Sequence, residues 1–366
     1  MTLASGNITD SDASRYHAVL RAEEGSLALR AAIRMGLLSR AKITKPFSPQ
    51  WIESSFGLTE QGSAVMLAFL HAIGAYTYDA QSGFYDLTQS AAENLALDGA
   101  TSTGSYFLLG CPPEVGLLQQ MLRGESEKAQ PLYSRSSSNP SIMEANVETA
   151  ETIGSALASR AKQFAPILAE HIARVVGIKA SKRELALSDF GAGSPYVANE
   201  CLARIPKLKS AFLLDQPQAL RAAQKMGSYS PDQPMDCTRV VTFAPTNIFT
   251  DRIPPTNLAI FSNVLHDWTP EDHQILISRA RDSMQSGDII CIHEPLLVSP
   301  LQVEKNREMA EWMACYSLAL YRLTGGLGRC YTRAEHVLLL TSSGFDVMES
   351  IFCTRDGCEA IFGIKR

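Results

Sequence analysis

The residues with the most chemistry to offer fall within 260–297, which reads Ile-Phe-Ser-Asn-Val-Leu-His-Asp-Trp, a helical segment, then Gly-Asp-Ile-Ile-Cys-Ile-His-Glu-Pro-Leu-Leu. The apolar run at 258–265 predicts a buried strand that delivers His266 and Asp267 at its C-terminal end, where open α/β sheets bind their ligands. A histidine titrates near neutrality, so His266 is the side chain there most able to handle a proton. A strand-terminal histidine can also be a plain cap. Asp267 suits equally the first turn of the next helix, where a carboxylate is favoured electrostatically. His293 and Glu294 are neighbours on a strand and point to opposite faces, so they are not read as a metal pair. His273 is expected in a solvated helical turn.

A second group lies upstream. Leu-Ser-Asp-Phe-Gly-Ala-Gly-Ser-Pro at 187–195 joins a strand to a helix, and Gly191 and Gly193 let backbone approach a ligand at the helix N-terminus. Asp215 ends the next strand about twenty-five residues on, where a carboxylate can accept hydrogen bonds from both ribose hydroxyls. No spaced third glycine follows Gly193, so a nucleoside other than a dinucleotide fits better.

Elements that position these residues follow from periodicity. From residue 183 onward strands and helices alternate, the mark of a doubly wound, Rossmann-like parallel sheet. Strands are expected at 185–190, 211–214, 240–243, 258–261 and 288–293, and helices near 195–202, 218–226, 270–284 and 303–321. The chain closes with 345–352, an Asp-Gly turn and 359–364, an antiparallel C-terminal hairpin. Before this domain, helices at 12–38, 48–56 and 59–73 precede a hairpin at 74–88, a mostly helical, winged-helix pattern. The polar stretch 124–139 reads as a loop, and 143–176 as a long helix kinked or divided at Pro166. The expected domains are therefore 1–110, a linker with bridging helices at 111–180, and 181–366. No internal repeat is evident.

Composition limits the partners. Hydrophobic residues make up 45% of 366, enough for more than one core, and the formal charge is −5. Residues 46–122 contain no Lys or Arg, while Glu53, Glu60, Asp79, Asp86, Glu93, Asp98 and Glu114 fall inside. A winged helix without cations cannot neutralise phosphates, so no nucleic acid is expected. That module is instead expected to pair subunits and wall a pocket. Eight cysteines without a Cys-x-x-Cys pair read as reduced thiols, and no metal is expected. The N-terminal residues lack an export signal and no apolar run reaches membrane-spanning length, so a cytoplasmic protein is expected.

Five blocks together resemble a known family: Asp-Phe-Gly-Ala-Gly-Ser at 189–194, Leu-Leu-Asp-Gln-Pro at 213–217, Asn-Val-Leu-His-Asp-Trp-Thr-Pro-Glu-Asp at 263–272, Gly287-Asp through His-Glu-Pro-Leu-Leu at 293–297, and Gly325-Gly with Gly344-Phe. The chain resembles the winged-helix, class I S-adenosylmethionine-dependent O-methyltransferases, which include the plant caffeate type and bacterial antibiotic-tailoring enzymes. The resemblance implies that Asp189, Gly191 and Gly193 line the methionine end of the cofactor and Asp215 its ribose. Asn247 and Ile248 would flank the adenine, and Ser262 would stand where the family often has a Lys. It makes His266 the general base, Glu294 its orienting partner and Asp267 part of the catalytic block. Trp268, Met309, Trp312 and Met313 become candidates for cofactor packing and an acceptor pocket, although at helical spacing the last three also read as ordinary core. A homodimer acting on a small, largely apolar or aromatic acceptor is implied.

Two positions depart from the family. Pro195 stands where a third glycine is usual, and is tolerable at a first helical position. Gly328 replaces the second acid that commonly faces the histidine. Both departures keep open a relative that binds S-adenosylmethionine yet catalyses hydroxylation or pericyclic rearrangement, and a nitrogen or carbon acceptor remains open too.

Overall fold

Polar caps set the N-terminal helices. The structure, a computed structural model, describes residues 10–99, 104–108, 112–125, 147–179, 184–225, 240–348, 351–352 and 358–366. The expected polar loop beyond residue 125, the helix start at 143–146 and the turn at 354–357 lie outside the described residues. Helix Pro49–Phe56 opens on Ser48, whose hydroxyl accepts from the Trp51 amide, and stops at Gly57 in the left-handed region (φ 66°). Thr59 caps Glu60–Ala72 in the same way through the Gly62 amide. Strands β1 (Tyr76–Asp79) and β2 (Phe84–Leu87) form the antiparallel hairpin expected after these helices.

The chain forms two compact units. The first comprises Met1–Ala129 with Leu297–Cys330. It packs helices Asp10–Met35, Glu60–Ala72, Pro113–Leu122 and Arg307–Leu323 around a core that includes Ile33, Leu37, Met66, Leu70, Leu118 and Leu318. Gly62 is required there: a Cβ would meet the Leu122 carbonyl oxygen at 2.5 Å. The helix expected at 303–321 is a 3-10 segment, Pro300–Lys305, followed by helix Arg307–Leu323. The break falls at Asn306, whose φ of −133° leaves the helical region.

The second unit comprises Gln130–Leu296 with Tyr331–Arg366. Its strands are β3 (Leu185–Phe190), β4 (Leu208–Asp215), β5 (Val240–Pro245), β6 (Leu258–Ser262), β7 (Ile289–Leu297), β8 (Tyr331–Thr332), β9 (Phe345–Val347), β10 (Ile351–Phe352) and β11 (Cys358–Lys365). The order β10-β11-β7-β6-β3-β4-β5 is parallel from β7 to β5, and β11 runs antiparallel against β7. The chain lays β4 and β5 on one side of β3 and then returns to lay β6 and β7 on the other, so β3 and β6 flank a topological switch point.

Strand β6 shows why the sheet is buried on both faces. Leu258 and Ile260 join one core with Ala165, Leu168 and Ile172 of helix Val147–Lys179, while Ala259 and Phe261 join the other with Leu276 and Ile277 of helix Pro270–Asp282. Phe190 and Phe261 stack on adjacent strands with ring centroids 4.4 Å apart. Helix Val147–Lys179 runs as one helix through Pro166, with Ala165, Leu168, Ala169 and Ile172 fully buried on both sides of it. Packing of that face outweighs the lost hydrogen bond, so the expected division does not occur. Among the described residues no helix is long and apolar enough to cross a membrane.

Candidate active site

A cavity of about 540 Å³ opens along the C-terminal ends of β6, β3, β4 and β5 in the second unit. Strand order fixes its wall: Ser262 ends β6 and Asn263 follows it, Gly191 and Gly193 follow β3, Asp215 ends β4, and Pro245 ends β5 with 246–251 following it. Gly191 (φ 63°) and Gly193 (φ 57°) both sit in the left-handed region, and a Cβ on Gly191 would meet Val264 Cγ2 at 2.9 Å. Two glycines are therefore demanded by conformation, one of them also by space. Pro195 is the N-cap rather than the first helical residue, with ψ near 0° and the helix beginning at Tyr196. It loses no needed amide hydrogen bond in that place.

Asp189 and Asp215 place carboxyls on this wall. The Gly193 amide donates to Asp215 Oδ2 at 2.8 Å and the Gln216 amide to Oδ1 at 2.7 Å. Burial pushes Asp215 up to about 6 despite these amides. Asp189 is buried, and burial, with the charge of Asp215 second, pushes its carboxyl up to about 8. Farther along, Asn247 Oδ1 accepts from the Phe249 amide at 2.9 Å, and the Ile248 carbonyl accepts from Arg279 Nε at 2.8 Å. Phe249 meets Trp268 edge-on at 4.7 Å. Ser262 Oγ lies 2.9 Å from His293 Nδ1. Asp189, Gly191, Gly193, Asp215, Asn247, Ile248, Ser262, Asp267 and Trp268 all line the cavity.

The histidine rides on a turn, not on the strand. β6 ends at Ser262, Asn263 takes φ 57°, and a 3-10 turn covers Leu265–Asp267. The run to Leu265 does not continue as strand because Glu294 Oε1, from β7, captures the amides of Val264 and Leu265 at 2.7 Å each. Glu294 Oε2 lies 2.6 Å from His266 Nδ1, and His266 Nε2 lies 3.7 Å from Asp267 Oδ1. Burial by itself would lower the His266 imidazole, but the charges of Glu294 and Asp267 and the hydrogen bond to Glu294 lift it above its ordinary value. Burial raises Glu294, and the charge and hydrogen bond of His266 more than offset that, leaving it below its ordinary value. Burial pushes Asp267 up to about 6. Each member of the pair thus favours the charged form of the other. His266 itself is buried between its neighbours and is not part of the cavity wall.

Met309, Trp312 and Met313 lie on helix Arg307–Leu323 of the first unit, in a small apolar cluster with Leu320 and Cys330. The amide of Gly328, also in that unit, donates to Thr324 Oγ1 at 2.8 Å. Sequence reasoning overlooked Arg160 and Phe164, which reach the cavity from helix Val147–Lys179. Arg160 Nη2 donates to Cys358 Sγ at 3.3 Å, and Phe164 packs on His293 with centroids 4.7 Å apart. A cation beside the apolar stripe of Ala161, Phe164, Ala165 and Leu168 was the available signal, but helical periodicity does not say what a face meets.

Comparison with known proteins agrees with this geometry. The O-methyltransferase domain family matches residues 146–346. The chain is 29% identical over 171 residues to acetylserotonin O-methyltransferase of Bos taurus, covering 47% of this chain and 44% of that protein. It thus spans less than half the length of the curated relatives it matches. Among solved structures, an O-methyltransferase family 2 protein from Planctomyces limnophilus, in complex with apigenin, superposes with a TM-score of 0.77 at 22% identity, covering 98% of both chains. Human N-acetylserotonin methyltransferase in complex with its methyl donor gives 0.52 at 19% identity, covering 100% of this chain and 99% of that one. These two likenesses carry the fold. The chain belongs to the O-methyltransferase domain family.

Proposed function

We propose that this protein is a cytoplasmic, homodimeric O-methyltransferase that moves the methyl group of S-adenosylmethionine to a hydroxyl of a small, largely apolar or aromatic acceptor. The observation that carries the reading is the glycine turn and Asp215 on one edge of the cavity, with the His266–Glu294 pair one strand away at the same sheet end.

The residues present fit such a donor. Gly191 leaves the backbone bare where a Cβ would clash. Asp215 is fixed by two amides, yet each oxygen keeps a lone pair for the ribose hydroxyls. Asp189 offers a buried carboxyl that a cationic group would ionise. Asn247, Ile248 and Trp268 supply an edge for adenine, and Ser262 a hydroxyl beside it. When bound, the donor supplies an electrophilic methyl on a sulfonium.

The chain's own part is proton handling and alignment. Glu294 holds Nδ1–H of His266 and so keeps the base lone pair on Nε2. His266, once neutral, takes the acceptor's hydroxyl proton at Nε2 as the oxygen attacks. Glu294 and Asp267 then stabilise the imidazolium, the condition that raises the pKa of His266. General-base assistance of this kind is worth about 10²–10⁴-fold, and holding the reactants in line supplies much of the remainder. Met309, Trp312 and Met313 would contact the acceptor.

Calorimetry with S-adenosylmethionine and S-adenosylhomocysteine tests the donor site, and absence of binding by either removes it. Mass spectrometry of a phenol panel tests the reaction. A product without the added mass of one methyl would assign the protein to the non-methylating relatives.

A further inference from the structure

The turn that carries His266 is gripped from behind as well as from in front. In front, Glu294 takes the amides of Val264 and Leu265. Behind, His273 of helix Pro270–Asp282 brings Nε2 to 2.6 Å from the Leu265 carbonyl oxygen. A carbonyl can only accept, so His273 carries a proton on Nε2. The Tyr331 hydroxyl, on β8, donates to the Trp268 carbonyl at 2.6 Å. The two rings meet edge-on at 4.6 Å, and His336 lies 6.4 Å from the first and 5.9 Å from the second. The solvated place expected for His273 is thus wrong: it is buried, as are Tyr331 and His336.

Three polar rings beneath one short turn are costly to bury unless their hydrogen bonds are made. The turn needs outside help: it is a three-residue 3-10 segment, a class whose hydrogen bonds are weaker than an α-helix's, entered through a left-handed asparagine. We propose that His273 and Tyr331 are positioning residues for His266, holding the turn by its Leu265 and Trp268 carbonyls so that the imidazole stays seated on Glu294. The inference rests on the reading of His266 as the base. It gives the chain a scaffold for that base supplied wholly by the second unit.

The test uses the full-length protein with Tyr331→Phe, His273→Leu and His273→Gln, the last able to donate to the same carbonyl. Tyr331→Phe and His273→Leu are expected to lower kcat about 10-fold to 100-fold, the penalty of a misplaced catalytic group, and to change Kd for S-adenosylhomocysteine by much less than kcat. His273→Gln should recover most of the loss. A second readout needs no acceptor. The charges facing His266 are Glu294, Asp267 and Arg160, and Tyr331→Phe alters none of them, yet a looser seat on Glu294 should move the His266 titration, followed by NMR, down toward its ordinary value. An unmoved titration with only a lower Tm, or a Gln variant no better than Leu, overturns the positioning role. If His266→Ala retains full turnover, the base reading falls and this inference with it. If His266→Ala is inactive while Tyr331→Phe and His273→Leu turn over normally, the positioning role alone falls.

Discussion

His266 Nδ1 stands 2.6 Å from Glu294 Oε2, while the other oxygen of the same carboxylate holds the two backbone amides that precede the histidine. One side chain therefore orients the imidazole, tunes its charge and shapes the turn that bears it. Breaking such a buried pair leaves an uncompensated charge, which costs about 3–5 kcal/mol.

Glu294→Gln separates tuning from shape. The amide oxygen can still accept from Val264 and Leu265, but the charge that raises His266 is gone. Turnover should fall by about 10²-fold or more, donor affinity should persist, and the acidic limb of the pH–rate profile should move to lower pH. An unchanged limb would show that Glu294 does not set the base.

Donor affinity should rise with pH. Burial raises Asp189 to about 8 and Asp215 to about 6, so both hold protons in the empty protein at mildly acidic pH. A bound cation favours the ionised carboxyls, lowers their pKa and expels protons, so binding strengthens as pH climbs through 6 toward 8. Calorimetry in buffers of different ionisation enthalpy should detect the release. Asp189→Asn should erase the upper part of the dependence, and proton uptake on binding would contradict the scheme.

Gly191→Ala should damage both fold and donor site. Its φ of 63° costs a side chain about 1–2 kcal/mol, and the new Cβ would press on Val264 at 2.9 Å. Urea denaturation should report that loss or more, with weakened S-adenosylhomocysteine binding. Wild-type values for both would show that the turn relaxes freely.

The proposed homodimer predicts a light-scattering mass twice that of the chain at micromolar concentration. A single-chain mass across that range removes it.

Much of the candidate site was legible because it is local. Gly191, Gly193, Asp215 and the His266-Asp267-Trp268 block sit at strand ends, and strand ends follow from short apolar runs bounded by turn residues. Those runs also announced the parallel sheet and its antiparallel edge. What depends on strand order or on a second partner was not legible. The turn beneath His266 exists because a carboxylate on β7 outcompetes the strand ladder for two amides, and β7 lies beside β6 only in the folded sheet. His273 reads as solvent-facing from its polarity, yet the Leu265 carbonyl and Tyr331 bury it. Arg160 and Phe164 enter the cavity from a helix whose face the sequence shows without showing its neighbour. By itself the sequence determined which residues could do chemistry and on which elements they ride, since propensity and periodicity act over a few residues. Only the tertiary structure decided which of them meet, because hydrogen bonds and charges between distant segments exist only once the sheet has brought those segments together.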